Sequence, residues 1–421
     1  METVLEYIAV ALLVVILVLA ANQMISASTG TLTTVREEQL YTVAQRVMDK
    51  ILLTPGYPPD WGTNVTVSAG DMQDFGLALY GTREPYVVDP DKVMRLANLS
   101  TLPNPLLLNA SRLAELLGLS QGYGFRLVMK PMIGHSVSVL SWNTTKDGSQ
   151  SFPTKFAVSV YNWYGMGLPN ANVTGIYAIF KVDPGDGNNR QPDLEEKAVF
   201  TVSSTTDALG YTTLDFTSQV QNYLQSQKNL NKWWFWFLLL HTSWHGFVAV
   251  YGYSATPSGG APVQGYIIGD TIIISRDVEV PDIRSQGTSK KSGAVHCKDE
   301  VVQVVPQYEE LLNVTSIDWC RGRSDDPLWC HEVAGKVLPS SQNFYLVGKI
   351  KYLEKLSSHV FVFAKWRSQT IVIVINRIPE IDVTFGPRQA SPANSVTLTR
   401  FATIYNYPYV IQLTLWRSVE G

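Results

Sequence analysis

Residues 7–21 read YIAVALLVVILVLAA, an unbroken apolar run of 15 residues. Extended to residues 4–25, the run reaches 22 residues and is interrupted only by Glu6, Asn22 and Gln23. A helix needs about 20 apolar residues to cross the hydrocarbon core of a bilayer. The sequence therefore predicts one membrane-spanning helix in this segment.

Two other interpretations of the run stay open, a cleaved secretory signal and a helix buried in a protein core. A cleaved signal typically has basic residues before a shorter apolar core and small residues at its cleavage site. Residues 27–30 are small enough for cleavage, but no Lys or Arg precedes Arg36. Because basic residues are missing on both flanks, the run does not indicate its own orientation in the membrane.

A second apolar pattern follows the run. Its positions are Leu40, Val43, Ala44, Val47, Met48 and Ile51. This i, i+3, i+4, i+7 spacing predicts an amphipathic helix, and Pro55-Gly56 ends it. We expect a stalk helix that packs on the first folded domain.

The order of these two helices resembles the first helix of type IV pilin-like proteins. Those proteins carry a glutamate at the fifth position of the mature chain, and Glu6 takes that position if Met1 is removed. The resemblance extends over about residues 1–130, where the segments 51–62, 75–78 and 89–93 are similar to archaeal surface proteins. It implies that Glu6 contributes to self-assembly by offsetting the positive N-terminus of a neighbouring helix.

A plain signal anchor is the alternative to a pilin-like helix. No basic leader that ends in Gly or Ala precedes Glu2 in the given sequence, so either the true start lies upstream or this is a plain signal anchor. Glu6 lies one residue outside the unbroken run, where the headgroup layer would solvate its carboxylate without a partner.

Composition shifts divide the chain into four expected segments. These are a transmembrane and stalk helix (1–54), a small α+β domain (55–150), an immunoglobulin-like β-sandwich (151–284) and a C-terminal β-rich domain (285–421). Asp89-Pro90 predicts the start of a short helix, and residues 109–117 predict a second one that ends at Gly118. The predicted fold class is mainly β, with an α+β character overall.

The sandwich assignment rests on two phrases. Pro169-Asn170-Ala171-Asn172-Val173 predicts the opening of a strand, and the segment 206–210, Thr-Asp-Ala-Leu-Gly, predicts a hairpin turn. The pair is similar to the immunoglobulin-like repeats of microbial surface adhesins. Residues 233–240 form another apolar run, which is too short for a membrane span and favours a buried strand.

The charge of the chain argues against nucleic-acid binding. The net charge is −3 and the pI is about 6.1, so no global basic field attracts phosphates. Charged residues make up 16% of the chain. Because soluble proteins average about 25%, this deficit argues against a cytosolic surface.

Cysteine spacing leaves three alternatives. Nine residues separate Cys320 from Cys330, a loop that a disulfide could close. Unpaired thiols are the second alternative, and pairing of Cys297 with Cys320 also stays open. The third is zinc, since His296 and His331 neighbour two of the cysteines, but the paired Cys-x-x-Cys motif is missing.

Other candidate chemistry is sparse. Acidic residues between Asp183 and Glu196 predict a solvated loop, with a calcium site as the alternative. His241 and His245 are four apart, but their segment predicts a strand end and not a metal-binding helix. No P-loop, dinucleotide-binding or nucleophile-elbow motif is present. We therefore expect no catalytic, cofactor or metal residues.

Six Asn-x-Ser/Thr sequons follow the apolar run and would lie outside the cell if the run is an anchor. The candidate glycosylation sites are Asn64, Asn98, Asn109, Asn143, Asn172 and Asn313. These features together predict a non-enzymatic, single-pass membrane glycoprotein with extracellular C-terminal domains. Its role would be structural or adhesive, with self-assembly or envelope proteins as partners. The alternative is an anchored glycan- or peptide-binding module or enzyme.

Overall fold

A computed structural model gives the architecture of most of the chain. It describes residues 2–64, 67–96, 110–119, 123–183, 193–227, 232–254, 265–268, 271–274, 303–305, 328–331, 346–350, 359–366, 369–376, 380–385 and 395–417. Within these residues the fold is mainly β, as the sequence predicts, and its strands form several antiparallel sheets.

Four helices and eighteen strands make up the described part of the chain. The helices are α1 (Glu2–Leu53), α2 (Pro90–Leu96), α3 (Ala110–Leu116) and α4 (Thr217–Ser226). The strands are β1 (Tyr123–Pro131), β2 (Ile133–Thr144), β3 (Ser151–Asn162), β4 (Asn172–Asp183), β5 (Asp193–Thr205), β6 (Tyr211–Asp215), β7 (Trp233–Trp244), β8 (Phe247–Ser254), β9 (Gly265–Ile268), β10 (Thr271–Ile274), β11 (Gln303–Val305), β12 (Leu328–His331), β13 (Leu346–Ile350), β14 (His359–Trp366), β15 (Gln369–Asn376), β16 (Ile381–Phe385), β17 (Ser395–Ile404) and β18 (Tyr407–Arg417).

The last turns of α1 form one wall of the first core. The residues buried there are Ala44, Val47, Met48, Ile51 and Leu52, on the face that the apolar spacing predicts. They pack against a four-stranded sheet of order β16-β1-β18-β17. The C-terminal turns of α1, residues 44–52, are therefore amphipathic, and their stability comes from tertiary packing.

Strands β2 to β8 form a two-sheet sandwich around a second core. One sheet has the order β2-β3-β6 and the other β5-β4-β7-β8, and all their pairs are antiparallel. Aromatic rings fill the space between the sheets, with Phe156 of β3 meeting Tyr177 of β4 at a centroid distance of 5.5 Å. Helix α4, which the sequence did not predict, buries Val220 and Leu224 against this core.

The outer face of the larger sandwich sheet is also covered. Val372 of β15 packs there against Phe180, Phe237 and neighbouring residues of β4 and β7. Burial on both faces explains why residues 234–240 are continuously apolar, as in other strands without a solvent face. The predicted buried strand at 233–240 is therefore confirmed as part of β7.

Two sheets cross the domain boundaries that the sequence suggests. Strand β1 lies within the expected segment 55–150, yet it pairs with β16 and β18 from the expected segment 285–421. Strand β2, also from 55–150, pairs with β3 of the sandwich. Local patterns identify strands, but they do not encode which distant strand is the partner.

Candidate functional site

A cleft lies where the sandwich meets the sheet that packs on α1. It consists of two adjoining hollows of about 100 and 160 Å³. Both hollows are lined by Pro131, Gly134, Tyr161 and Glu380, which come from the β1–β2 corner, the end of β3 and the residue before β16. Aromatic walls with a few polar groups are typical of the lining of ligand-binding sites.

The wall between the hollows is held in a fixed position. The Tyr161 ring lies so close to Gly134 that a Cβ there would stand 2.3 Å from Tyr161 Cε2. The Tyr161 hydroxyl donates to the carbonyl of His135 at 3.2 Å. The His135 ring stacks on Tyr251 at 5.5 Å and lies 2.8 Å through Nε2 from Thr242 Oγ1. These contacts leave the Tyr161 ring little freedom to move.

A tight turn after β3 presents two more aromatic rings at the second hollow. Trp163 and Tyr164 line this hollow and lie 5.1 Å apart between ring centroids. The Asn162 side-chain oxygen accepts hydrogen bonds from the backbone N–H groups of Tyr164 and Met166, at 2.9 and 3.1 Å. This turn chemistry fixes the backbone, while 65% of Tyr164 stays exposed.

Among the described residues, one carboxylate and one ammonium group supply the charges of the cleft. Desolvation raises the pKa of Glu380, and the positive charge of Lys130 opposes that rise. Burial and the nearby Glu380 carboxylate also raise the pKa of Tyr161. Among the described residues, no cation lies within ion-pair distance of Glu380. Glu380 is therefore a hydrogen-bond acceptor set among tyrosine rings.

The upper part of α1 presents a second unusual surface. Seven consecutive apolar side chains, Leu13 to Leu19, are each 52–60% exposed. Seven residues make about two helical turns, so every face of the helix is apolar and uncovered. Within the part of the chain that the structure describes, no helix combines the length and the hydropathy required to cross a membrane.

Two fully buried cations near α2 have a structural role. Lys92 Nζ donates to the carbonyls of Pro55 and Ala78 at 2.9 and 2.8 Å. The Arg95 guanidinium donates to three loop carbonyls, and desolvation lowers the pKa of Arg95 to about 10. Their donors are used by backbone carbonyls, so these cations connect the loops that follow α1 and do not form an open site.

Lysines pair with two carboxylates of the acidic segment 183–196, those of Asp183 and Glu195. Lys232 Nζ lies 2.7 Å from Asp183 and 2.9 Å from Glu195, and Lys181 Nζ lies 2.8 Å from Glu195. Glu195 belongs to β5 and not to a loop, which corrects the expectation of one continuous loop. In the described residues no group of three or more acidic, His or Cys side chains is placed to hold a metal.

The structure brings none of the other predicted site residues together. Glu6 lies in α1 and Cys330 in β12, while Cys320 and Cys297 fall outside the described residues. His241 lies in β7 and His245 in the following turn. The disulfide and the assembly role of Glu6 therefore stay predictions.

The sequons are divided between the described and undescribed parts of the chain. Asn172 is exposed at the start of β4, and Asn64 and Asn143 are half-buried. Asn98, Asn109 and Asn313 lie outside the described residues. Glycosylation at all six stays a prediction.

Sequence reasoning missed the cleft because its key residues are far apart in the chain. The one available signal is the phrase Tyr161-Asn162-Trp163-Tyr164-Gly165, in which aromatic residues crowd the turn after a strand. Nothing local indicates that Glu380 faces it. No family model, curated protein or solved structure matches this chain.

Proposed function

We propose that this protein is a non-enzymatic, membrane-anchored surface protein in which α1 holds the β-rich domains outside the cell. The observation that carries the proposal is the uncovered apolar surface from Leu13 to Leu19. Burying a side chain of this kind is worth about 1.5–3 kcal/mol. A helix that is apolar on every side needs an apolar surrounding, and a bilayer supplies one around its whole circumference.

The proposal rests on the longer apolar run at 7–21 in the sequence. The change of pattern within α1 also supports an anchor. Residues 13–19 of the helix are apolar and exposed on all sides, whereas residues 44–52 bury one face against the first core.

The sandwich supports an immunoglobulin-like module as the projected domain. In constant-type immunoglobulin domains the first, second, fourth and fifth of seven strands share one sheet. In this chain β2, β3 and β6 share a sheet, and the fourth strand, β5, pairs with β4 in the other sheet. The two arrangements differ only in the position of the fourth strand. Such modules commonly serve structural or adhesive roles on cell surfaces.

Protease treatment of intact cells tests the outward topology. If the proposal holds, protease added outside degrades the segments from residue 55 onward while a cytosolic marker protein stays intact. In permeabilised cells the protease should degrade both the segments from residue 55 onward and the marker, which shows that neither is intrinsically resistant to the protease. Protection of both in intact cells would show that the folded domains are not outside.

A pair of substitutions in α1 tests the anchor itself. Replacing Leu13 and Leu17 by Arg places two charges in the apolar surface, and each costs about 2.5–3.5 kcal/mol near the middle of a membrane helix. The proposal expects the membrane-bound fraction to fall sharply after fractionation and alkaline washing. Tyr41→Arg is the matched control, because Tyr41 is 46% exposed on the same helix but below the apolar run. If the wild-type protein, the double Arg variant and the Tyr41→Arg variant show the same membrane-bound fraction, anchoring by α1 is refuted.

Self-assembly in the manner of pilin-like subunits is the finer part of the proposal. It rests on the resemblance of α1 and on the position of Glu6. A carboxylate within an apolar helix bundle is costly unless it is paired. Glu6→Gln should abolish cross-linked multimers and leave membrane insertion unchanged. Identical multimer ladders in both proteins, or none in either, would instead indicate a simple single-pass anchor.

A second candidate function is binding of an extracellular glycan or peptide. The observation that favours it is the cleft around Tyr161, whose aromatic rings are held in place by a turn and by stacking. A panel of glycans and peptides applied to the full chain tests it. This function is compatible with membrane anchoring and does not depend on it.

A further inference from the structure

The cleft combines aromatic faces with polar groups of both kinds. Tyr161, Trp163 and Tyr164 offer ring surfaces, Glu380 offers a hydrogen-bond acceptor, and Lys130 offers a donor. The charges of Glu380 and Lys130 cancel, so the cleft has no net charge that would select a strongly ionic ligand. The matching ligand has apolar faces and several groups that both donate and accept hydrogen bonds.

The aromatic rings are organised before any ligand arrives. Tyr161 is fixed by the close approach of Gly134 and by its hydrogen bond to the His135 carbonyl. The turn at 162–166 is closed by backbone hydrogen bonds from Gly165 to Asn162 and from Asn162 to Met166, both at 2.8 Å. Rigid aromatic side chains bind with a low loss of conformational entropy.

Glu380 faces both hollows, which gives the cleft one central polar group. Glu380 is solvent-exposed, and in the described part of the chain its carboxylate has no cation within ion-pair distance. A carboxylate without a cation partner is stabilised by any ligand that donates hydrogen bonds to it. Vicinal hydroxyl groups provide two such donors at the spacing of a carboxylate.

The geometry points to a carbohydrate-binding site between the sandwich and the sheet on α1. A sugar ring presents apolar C–H faces to Tyr161 and Tyr164 and hydroxyl groups to Glu380 and Lys130. A single carboxylate lines the described part of the cleft. Because hydrolysis of a glycosidic bond requires a pair of carboxyl groups in most enzymes, the site binds sugars without cleaving them.

Binding is tested with the full chain in a detergent whose head group is not a sugar, since glycosidic detergents would compete for the cleft. The solubilised protein is applied to an array of neutral and acidic oligosaccharides and of peptides. The strongest oligosaccharide is then titrated by calorimetry, and its reducing ends are assayed to detect cleavage. We expect binding to at least one neutral oligosaccharide and no release of reducing ends.

Tyr164→Ala is the decisive variant, because the side chain is exposed and its removal leaves the core unchanged. Loss of one aromatic stacking contact should weaken binding by about fivefold to tenfold. Tyr80→Ala is the matched control, since Tyr80 is 66% exposed and lies outside the cleft. Glu380→Gln keeps one acceptor oxygen and should weaken binding less than Glu380→Ala.

The outcomes separate cleanly. Weakening by Tyr164→Ala and Glu380→Ala, with Tyr80→Ala unchanged, supports the site. Absence of any oligosaccharide binding overturns it, and so does exclusive binding of peptides. Oligosaccharide binding that Tyr164→Ala leaves unchanged also overturns it, because the sugar would then lie elsewhere. None of these results bears on membrane anchoring, which the protease and Arg substitutions test separately.

Discussion

Leu413 tests whether the C-terminal strands share one core with α1. It is fully buried in β18, and its register partners are Leu127 of β1 and Leu398 of β17. The three leucines therefore form a row across three strands in the core that also contains the C-terminal turns of α1. Removing a side chain from the centre of this row perturbs segments more than 350 residues apart in the sequence.

Leu413→Ala should lower the free energy of unfolding of this shared core by about 3 kcal/mol. Burial of the lost groups is worth about 0.8 kcal/mol per methylene, and the remaining cavity adds a further penalty. A loss of 3 kcal/mol raises the population of the opened state by about a hundredfold. Neighbouring side chains cannot easily move into the cavity, because Leu127 and Leu398 are themselves held by strand register.

Native-state hydrogen exchange followed by mass spectrometry measures where this loss appears. We expect faster exchange in β1, in β18 and in residues 44–52 of α1, because they share one core. Thr414→Ala is the control at the next position, where the side chain bonds Thr397 at an exposed site and should contribute under about 1 kcal/mol. If Leu413→Ala changes exchange only after residue 285, the shared core is refuted.

Three further outcomes follow from particular contacts. Asp382 has a pKa lowered mainly by its hydrogen bond from Arg126, so its stabilisation is present above the ordinary carboxylate pKa and is lost as pH falls through the lowered value. Arg126→Gln should therefore reduce the difference in stability between pH 7 and pH 3 by at most about 1 kcal/mol in urea unfolding, because both groups are half exposed. Gly252→Ala should destabilise by about 1–3 kcal/mol, since its Cβ would stand 2.2 Å from Val374 Cγ1, and Val374→Ala should restore most of that loss if the contact is the cause. Calcium should leave the melting temperature unchanged relative to chelator, because lysines already pair with Asp183 and Glu195, and a calcium-dependent rise in a melting scan would contradict this.

Elements with a strong local signal could be predicted from the sequence. Asp89 accepts hydrogen bonds from the first turn of α2, as the Asp-Pro pair predicts. Helix α3 ends before Gly118, whose φ of 69° suits glycine, and the apolar spacing in α1 identifies its buried face. Each of these features depends on residues within about one or two helical turns of one another.

Pairing and the site could not be predicted, because both depend on residues far apart. The β1–β18 pair joins Leu127 to Leu413, and no periodicity within either strand encodes the other. Helix α4 was missed because its ten residues have only two buried apolar positions in a strand-rich region. Tyr161 and Glu380 meet only after the sandwich and the sheet on α1 come together.

The pairing of β1 with β18 determines whether the fragments of a protease-cut molecule stay together. These strands match at nine positions, and β18 also shares the core with α1. After any single cut between Pro131 and Ile381, the two fragments therefore stay bound through the β1–β18 pairing although no covalent link joins them. A nicked molecule would stay associated, and the cut would become visible only after denaturation.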